Sequence, residues 1–515
     1  MSFAELSPDR RTEASPSPQS LTPYLDALVE YAMRDPARFH VPGHKGGLAA
    51  PARMTDRLGT ALSLDVPACI DGIDIGARPT PLEQAESLAA EAWEARRTWF
   101  LLNGASEGSH IACLALAHAG ESVIVQRNVH SSTIHGIVLA GLRPAFVAPE
   151  LDPELGVAHC VTPEALEEAL AATPDAVGAI VVSPTYFGAA ADVRGLVEVT
   201  RSRGVPLVVD EAWGAHFAFH PELPADAVFC GADLTISGTH KLLGSLTQSA
   251  MLHLGGHSLI DEPALLRAVG LVRTTSPSSL LLGSLDAARA YAASDAQRLL
   301  DEALPAMRLV RDAIGDVPGL GALDERVIGR PGVHDFDALR LVVDARSSGF
   351  TGHELSARLH RMSDVNLEVV TDRLVVAHIG LGEPVHSQGL RLLEALLLAL
   401  QGEPSGFTLR GDGKGEGTGG GLDQGGSTPR PGPAVLKPRD AYFAAHDVVP
   451  LRDAVGRISA DSVVVYPPGI ANVIPGELIT PAVAADVERL VAAGRSLRGT
   501  MSGTLEAIRV VRKAR

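Results

Sequence analysis

The sequence predicts an α/β protein whose largest domain is built on a mainly parallel β-sheet, followed by two smaller α+β domains. Between Pro81 and about Cys230, short apolar runs alternate with segments of helical periodicity. This pattern is typical of parallel strands that are covered by helices on both faces of the sheet. A second alternation of helices and extended runs occupies about 299–400, and a third follows a long Gly-rich stretch. With 515 residues, 46% of them apolar, the chain is long enough to bury several cores.

The predicted elements follow one another in the order that such domains require. The strands of the large sheet are expected at 98–102, 122–126, 144–148, 176–183 and 206–210, and its helices at 82–96, 106–119, 163–171 and 193–202. In the smaller domain, helices are expected at 299–314, 352–361 and 389–400, and strands at 338–343 and 373–379. The C-terminal domain begins with a strand at 463–466 and a helix at 481–493.

Changes in composition divide the chain into five segments. Residues 1–20 are polar and rich in Ser and Pro, so we expect a disordered tail. Residues 21–298 form an N-terminal segment together with the large domain, and 299–402 form the small domain. Residues 403–433 contain almost no apolar side chain and are expected to be a flexible linker, before a C-terminal domain at 434–515.

Charge and cysteine usage narrow the classes of partner. The formal net charge is −17, which disfavours nucleic acid or an anionic membrane as partner and mildly favours cationic small molecules. The four cysteines are far apart in the sequence, so neither a disulfide framework nor a metal site is expected. The N-terminal residues lack the apolar core of a signal peptide and no run reaches transmembrane length, which favours a cytoplasmic protein.

An acid at the end of a strand and a lysine downstream of it carry the chemical prediction. Asp210 closes the apolar run 205–209, and Lys241 follows in Ser237-Gly-Thr-His-Lys241. A pyridoxal phosphate (PLP) enzyme needs an amine that holds the cofactor as a Schiff base and a carboxylate that keeps its ring nitrogen protonated. We therefore predict that Lys241 binds PLP, with Lys45 as the weaker alternative. Asp210 is assigned to the ring nitrogen, its alternative role being that of a helix cap.

Other residues near these two could bind the rest of the cofactor. Ala212 offers a small surface beneath a ring, and His130 could stack on it or be structural. Gly104, in Asn103-Gly-Ala-Ser-Glu-Gly-Ser-His110, lies between a strand and a helix, where free backbone amides suit a phosphate. Ser237 and His240 could donate to the same phosphate from their side chains.

The order of these motifs resembles the ornithine/lysine/arginine decarboxylase family of fold-type-I (aspartate-aminotransferase-like) PLP enzymes, in the short form without an N-terminal wing domain. The resemblance runs from about residue 20 to 515 and excludes the Gly-rich stretch. The matching segments are Phe39-His-Val-Pro-Gly-His-Lys-Gly-Gly47, Asn103-Gly-Ala-Ser106, Arg127-Asn-Val-His130-Ser, Asp210-Glu-Ala-Trp-Gly-Ala-His216, Ser237-Gly-Thr-His-Lys241, Thr274-Thr-Ser-Pro-Ser278, Ser284-Leu-Asp-Ala287, Tyr466-Pro-Pro-Gly-Ile470 and Pro475-Gly-Glu477.

The resemblance implies further roles. Ser106 and the backbone amides around Ala105 would hold the phosphate, beside Ser237 and His240. Family members are dimers or larger with shared sites, which implies that Thr275 reaches a neighbour's cofactor. Glu477 would face the distal cation of the substrate. One departure concerns the phosphate loop, where Glu107 is expected to bring a negative charge close to the phosphate.

The function expected from these features is α-decarboxylation of lysine, ornithine or arginine to a diamine or agmatine. Lys241 or a nearby histidine, for which His216 is a candidate, would return a proton to the α-carbon. One alternative is an aminotransferase or another PLP lyase, in which Arg373 would clamp the substrate carboxylate. The other alternative is a non-catalytic protein of this fold that regulates polyamine metabolism by binding.

Overall fold

The computed structural model describes residues 17–402, 432–466, 470–492 and 496–513, without the side chains of Tyr466 and Ser496. The predicted tail lies outside these residues except for its last four positions, and the predicted linker except for its last two. The predicted division into domains stays a prediction. The elements below are numbered along the chain.

The N-terminal half holds a short helical segment and then an alternation of strands and helices. The segment contributes α1 (Pro23–Met33), α2 (Ala52–Leu58) and α3 (Ala61–Leu64). The elements that follow are α4 (Pro81–Ala92), β1 (Arg97–Leu101), α5 (Gly104–Leu116), β2 (Ser122–Gln126), α6 (Ser131–Ala140), β3 (Arg143–Val147), β4 (Leu151–Asp152), β5 (Val157–Ala158), α7 (Pro163–Ala172), β6 (Ala176–Val182), β7 (Ala189–Ala190), α8 (Val193–Ser202), β8 (Leu207–Glu211), β9 (Leu234–Ser237), α9 (Thr239–Leu242), β10 (Ala250–Leu254) and α10 (Glu262–Val272).

The rest of the described chain adds a long helix, a second sheet and a C-terminal unit. These elements are α11 (Ser279–Gly315), β11 (Gly321–Ala322), β12 (Asp335–Phe336), β13 (Arg340–Asp344), α12 (Gly352–Ser363), β14 (Val369–Val370), β15 (Leu374–His378), α13 (Val385–Ala399), α14 (Pro438–Phe443), β16 (His446–Val449), α15 (Leu451–Ala454), β17 (Val463–Tyr466), β18 (Ile470–Val473), α16 (Pro481–Ala492), β19 (Ser496–Arg498) and β20 (Ile508–Val511). Short 3₁₀ turns occur at Pro18–Ser20, Lys45–Gly47, Phe217–Phe219 and Glu325–Val327.

A seven-stranded, mainly parallel sheet forms the centre of the fold, which confirms the predicted class. Its strand order is β1-β10-β9-β8-β6-β2-β3, and β10 alone runs antiparallel to both of its neighbours. Strands β2 and β8 are buried along their whole length because helices pack on both faces of the sheet. The second sheet, of order β11-β13-β15-β14, is antiparallel.

Strand β9 ends at Ser237 and is followed by the short helix α9, so Lys241 lies in a helical turn. One predicted helix begins earlier in the structure than expected. The helix expected at 299–314 is the second half of α11, a 37-residue helix that begins at Ser279. Helix α11 therefore runs without interruption across the predicted domain boundary at residue 298.

The parallel pairing of β8 with β9 determines where the chemistry collects. Asp210 pairs in register with Ile236, and Glu211 with Ser237. Both strands end at the same edge of the sheet, so Asp210 and the turn that carries Lys241 are neighbours.

None of the helices in the described part of the chain has the length and apolar character that crossing a bilayer requires.

Candidate active site

A cavity of about 430 Å³ lies at this edge of the sheet. Its walls come from the start of α5, the turn before α6, the ends of β6 and β8, helix α9, and the second sheet. The lining residues are Gly104, Ala105, Ser106, Asn128, His130, Ser132, Val182, Tyr186, Asp210, Ala212, Trp213, His240, Lys241, Glu368, Val369 and His378. The structure thus brings six of the residues singled out in the sequence to one cavity, together with Ala105 and Ser106, which the resemblance implied.

Lys241 reaches the cavity because a glycine lets its turn approach β8. A Cβ on Gly238 would lie only 2.4 Å from the carbonyl oxygen of Ala212, so a larger residue would push α9 away. The Nζ atom of Lys241 lies 3.8 Å from the centroid of the Trp213 ring. Burial lowers the pKa of Lys241 to about 8, although the negative charge of Asp210 opposes that shift. An amine with such a pKa is partly unprotonated near neutral pH, as Schiff-base formation requires.

Asp210 is a buried carboxyl at the end of β8, only 6% exposed. Burial raises its pKa, while the positive charge of Lys241 and a hydrogen bond from the Ala212 amide to Oδ1 (3.1 Å) lower it. A desolvated carboxylate gains most from a partner that carries a positive charge. Asp210 therefore suits a protonated ring nitrogen.

The start of α5 forms the opposite wall. Gly104 adopts φ = +67°, a left-handed conformation that favours glycine, and Ala105 and Ser106 follow it in the first turn. A Cβ on Gly108 would approach Cγ2 of Ile236 to 2.8 Å, so this glycine allows α5 to pack closely on β9. The unpaired amides and the dipole of the helix N-terminus favour an anion at this wall.

Glu107 does not bring its charge to this wall, contrary to our expectation. Its Oε2 accepts hydrogen bonds from the amides of Leu102 (2.9 Å) and Asn103 (2.8 Å), and its side chain lines a separate cavity. The carboxylate therefore satisfies the backbone just before α5 and leaves the first turn available to an anion. Its pKa is raised by burial.

His240 and Ser237 lie beside Lys241 in different environments. Nδ1 of His240 donates to the carbonyl oxygen of Ser249 (2.6 Å), and the ring lines the cavity, which leaves Nε2 for another partner. Ser237 is fully buried at the end of β9 and does not line the cavity. Its hydroxyl has no hydrogen-bond partner among the described residues, so it has an unused donor close to the site.

His130 lines the cavity and also caps α6. Its Nδ1 accepts a hydrogen bond from the Ser132 amide (3.2 Å). Burial lowers the pKa of His130 to about 4, and the positive charge of Lys241 adds to that shift. A neutral imidazole fixed in this way presents a flat face without a charge.

A cluster that the sequence analysis missed supports the cavity from the side of the second sheet. The rings of Trp213 and His378 are stacked, with centroids 4.4 Å apart and an angle of 10°. The fully buried Arg340 donates to the Trp213 carbonyl oxygen (3.2 Å) and to Oδ2 of Asp337 (3.0 Å). Trp213 lies within a motif that we had quoted. His378 and Arg340 lie in predicted strands of another domain, where nothing in the sequence marks them.

Glu368 adds a carboxylate to the rim of the cavity. It is exposed, directly precedes β14, and is close enough for its charge to raise the pKa of Lys241 against the effect of burial. No periodicity or motif around Glu368 indicated this position in advance.

Besides Ser237, three predicted residues lie outside this cavity. His216 is fully buried and its Nε2 contacts Oδ1 of Asp337 (3.0 Å), so it has no access to the cavity. Thr275 is exposed and lines a different cavity. Glu477 is 2% exposed and forms an ion pair with Arg127 (3.3 Å), which neutralises the charge that was expected to meet a substrate.

Arg373 and Lys45, the alternatives considered for a carboxylate clamp and for the PLP-binding lysine, also lie outside this cavity. Nη1 of Arg373 donates to the carbonyl oxygens of Pro153 (2.8 Å) and Glu154 (2.7 Å), and the residue does not line the cavity. Lys45 donates to the carbonyl oxygen of His40 (2.5 Å) and is likewise absent from the lining. Among the described lining residues Lys241 is the single Lys or Arg, so no arginine among them is placed to clamp a carboxylate.

The residues present fit PLP. The cavity offers an amine of lowered pKa, a buried carboxyl, a flat neutral imidazole and a helix N-terminus, with the unpartnered hydroxyl of Ser237 close by. No cluster of metal-binding side chains occurs within the described ranges.

Two family models match the chain. The one described as Orn/Lys/Arg decarboxylase, major domain, matches residues 22–338, and the one described as Orn/Lys/Arg decarboxylase, C-terminal domain, matches residues 430–498. The chain is 35% identical over 497 residues to a protein named arginine decarboxylase from Bacillus subtilis (strain 168), which covers 96% of this chain and 99% of that one. A protein of the same name from Bacillus anthracis is 33% identical over 493 residues, covering 96% and 97%.

Lysine decarboxylases match over less of the sequence but share the fold. Lysine decarboxylase LdcA from Pseudomonas aeruginosa is 30% identical over 322 residues, covering 55% of this chain and 42% of that protein. The solved structure of the constitutive lysine decarboxylase from Escherichia coli superimposes with a TM-score of 0.76 at 19% identity, covering 96% of this chain and 82% of that one.

Proposed function

Because the chain belongs to the ornithine/lysine/arginine decarboxylase family and is a PLP-dependent amino acid decarboxylase, we propose that arginine is its preferred substrate and agmatine its product. Proteins named arginine decarboxylase match it over nearly its full length, whereas those named lysine decarboxylase match about half of it. The single observation that carries the chemistry is the meeting of Lys241 and Asp210 in one cavity.

PLP supplies an electron sink for the pair of electrons that a departing carboxylate leaves behind. Our proposal assigns Lys241 as the amine that binds the cofactor aldehyde and Asp210 as the partner of its ring nitrogen. The side of Ala212 and the face of His130 would enclose the ring. Ser106, the amide of Ala105 and His240 would hold the phosphate, with Ser237 as an additional donor.

The same assignment gives this chain's residues the proton transfer that completes the reaction. The Lys241 amine lies in the cavity against the Trp213 ring, where the aromatic face favours a cation. As a free ammonium group it would be placed there to return a proton to the substrate α-carbon. His216 is too deeply buried for that task and is not included in the proposal.

The walls of the cavity favour loss rather than retention of the substrate carboxylate. Binding a carboxylate tightly to an arginine stabilises the charged ground state and slows its conversion to carbon dioxide. The described lining contains no arginine, because Arg340 is held behind Trp213 and Arg373 lies elsewhere.

Glu368 is our candidate for the group that meets the distal cation of the substrate, in place of Glu477. It is exposed at the rim, whereas Glu477 is already paired with Arg127. A planar guanidinium can donate two parallel hydrogen bonds to such a carboxylate.

We also propose a homodimer or larger homo-oligomer, in which the exposed Thr275 would approach a neighbouring cavity.

The test is to compare initial rates with arginine, lysine and ornithine at equal concentrations, measuring agmatine, cadaverine and putrescine. We expect kcat/KM for arginine to exceed the other two by at least about tenfold, since a bidentate contact depends on the shape of the head group. A higher kcat/KM for lysine or ornithine would contradict the assignment of substrate and leave the decarboxylase activity standing.

A further inference from the structure

One polar side chain of the active-site cavity has no role in the proposed function. Asn128 lies in the turn between β2 and α6, two residues before His130, and is 8% exposed where it lines the cavity. The turn is closed by a hydrogen bond from the Val129 amide to the carbonyl oxygen of Gln126 (3.2 Å). The side-chain amide of an asparagine can present its oxygen, which accepts hydrogen bonds, or its nitrogen, which donates them.

A relay of hydrogen bonds fixes the orientation of this amide group. The backbone N–H of Val182, at the end of β6, can only donate, and it donates to Oε1 of Gln126 (3.0 Å). Gln126 is fully buried, and its nitrogen is directed to Asn128, where Nε2 donates to Oδ1 (2.7 Å). The oxygen of Asn128 is thereby occupied. The Nδ2 group is the end that remains for the cavity.

Nδ2 of Asn128 is an accessible donor. It is not buried, and it makes no hydrogen bond to the residues that the structure describes. The neighbouring Ser132 differs, because its hydroxyl already contacts Nδ1 of His130 (2.9 Å) and Oγ of Ser109 (3.2 Å). Asn128 therefore offers the cavity a neutral donor whose direction is set by the protein.

The strand order places this donor opposite the wall that would hold the phosphate. Strands β9, β8, β6 and β2 are adjacent in that order. The phosphate wall comes from α5, which packs closely on β9, and from His240 in α9, directly after β9. Asp210 ends β8, and Val182, its partner in register, ends β6. Asn128 approaches from β2, so it lies on the side of Asp210 that is away from the phosphate wall.

The covalent structure of PLP then selects an acceptor. The ring carbon that carries the aldehyde lies between the carbon with the phosphate arm and the carbon with the hydroxyl group. With the phosphate at the α5 wall and the ring nitrogen at Asp210, the hydroxyl oxygen faces the ends of β6 and β2. We propose that Nδ2 of Asn128 donates a hydrogen bond to this oxygen in its deprotonated form, and that Gln126 is the residue that positions Asn128. The inference rests on the proposed function, from which it takes the placement of PLP.

Such a hydrogen bond stabilises a negative charge on the ring oxygen, beside the ring carbon whose aldehyde would react with Lys241. No second Lys or Arg among the described lining residues could provide that stabilisation. Asn128 favours the charged form of the oxygen without adding a net charge to the cavity.

The experiment compares the binding of two cofactor analogues to the apoprotein by isothermal titration. Deoxypyridoxine phosphate has a methyl group in place of the aldehyde, so it binds without reacting with Lys241, and it keeps the ring hydroxyl. The second analogue has a hydrogen atom in place of that hydroxyl. The wild-type protein should bind the first analogue about tenfold more tightly than the second, because only the first can accept a charge-assisted hydrogen bond.

Asn128→Asp is the deciding variant, because it keeps the size of the side chain and the oxygen that accepts from Gln126 and replaces only the donor. It should abolish or reverse the preference, since a carboxylate repels an oxygen anion. Gln126→Glu changes a buried residue outside the cavity. It should have the same effect, because Asn128 would turn its nitrogen toward the new carboxylate. The control Tyr186→Phe, at the same wall, should keep the preference.

A spectrum of the reconstituted holoenzyme gives an independent measurement. Asn128→Asp should weaken the absorbance band near roughly 420 nm in favour of a band at shorter wavelength, since it disfavours the charged ring oxygen. Equal affinity of the wild-type protein for both analogues, or a preference that survives in Asn128→Asp or is lost in Tyr186→Phe, would overturn the proposal. Failure of the wild-type apoprotein to bind either analogue would contradict the proposed PLP site itself, and this inference with it.

Discussion

Replacing Lys241 by Met should stabilise the cofactor-free protein, although it removes the residue on which activity depends. In the folded state burial lowers the pKa of Lys241 from 10.5 to about 8, which means that folding penalises its protonated form. Met has a similar length and carries no charge. The neighbouring Trp213 ring, 3.8 Å from Nζ, can pack against it.

The size of the effect follows from the shift. One pKa unit corresponds to about 1.4 kcal/mol, so the difference between 10.5 and about 8 amounts to roughly 3 kcal/mol. Because the folded-state pKa is depressed, the penalty is fully present below about pH 8 and disappears as the pH rises through 10.5. Lys241→Met should therefore raise the free energy of unfolding most at neutral pH and leave it unchanged in strong alkali.

The assay is urea unfolding of the apoprotein at several pH values between about 7 and 10.5, followed by circular dichroism. Lys45→Met is the matched control, because Lys45 lies outside the cavity and donates to the carbonyl oxygen of His40. It should not raise the unfolding free energy. If Lys241→Met destabilises the protein at pH 7, or stabilises it equally at every pH, Lys241 is not the desolvated amine described above.

Three further predictions concern the residues around Lys241. Asp210→Asn should lower the decarboxylation rate by about 10²–10³-fold through loss of the preorganised charge. Because Asp210 raises the pKa of Lys241, the variant should also move the pH midpoint of Schiff-base formation below about 8 in stopped-flow reconstitution with PLP. An unchanged midpoint would argue against contact between Asp210 and Lys241. Glu368→Gln should raise KM for arginine about tenfold and change kcat by less than about twofold, because it removes a contact present in both ground and transition states. Steady-state kinetics measure both constants, and a fall in kcat instead would place Glu368 in the chemical step. Arg340→Met leaves the carboxylate of Asp337 buried with one partner fewer, and should lower the free energy of unfolding in urea by roughly 3–5 kcal/mol. The control Arg373→Met changes an arginine that binds exposed carbonyl groups and should lower it by less than about 1 kcal/mol. Equal losses of stability would contradict the role given to Arg340.

The sequence was most informative about the large domain. The strand predicted at 122–126 and the helix predicted at 193–202 have those limits in the structure, since period and end signals agree at both. Lys241, Asp210, His130 and the start of α5 come together because parallel strands end at one edge of a sheet. Local pattern and topology were enough for these residues.

Residues whose position depends on tertiary contacts could not be predicted in this way. The pairing of Glu477 with Arg127 joins positions 350 apart, and the pairing of His216 with Asp337 joins positions 121 apart. Each pairing occupies a titratable group that was expected to act in the active site, and no local sequence pattern indicates the pairing. Glu368 and His378 reach the cavity from the second sheet, whose placement on the first depends on packing rather than on a motif.

The measurement that tests the central claim most directly is product analysis of the purified protein supplied with PLP and L-arginine. We expect carbon dioxide and agmatine in equal amounts, an absorbance band near roughly 420 nm from the Schiff base, and loss of both band and products in Lys241→Ala. Formation of an oxoacid with pyridoxamine phosphate, or a band and activity that persist in Lys241→Ala, would contradict the account.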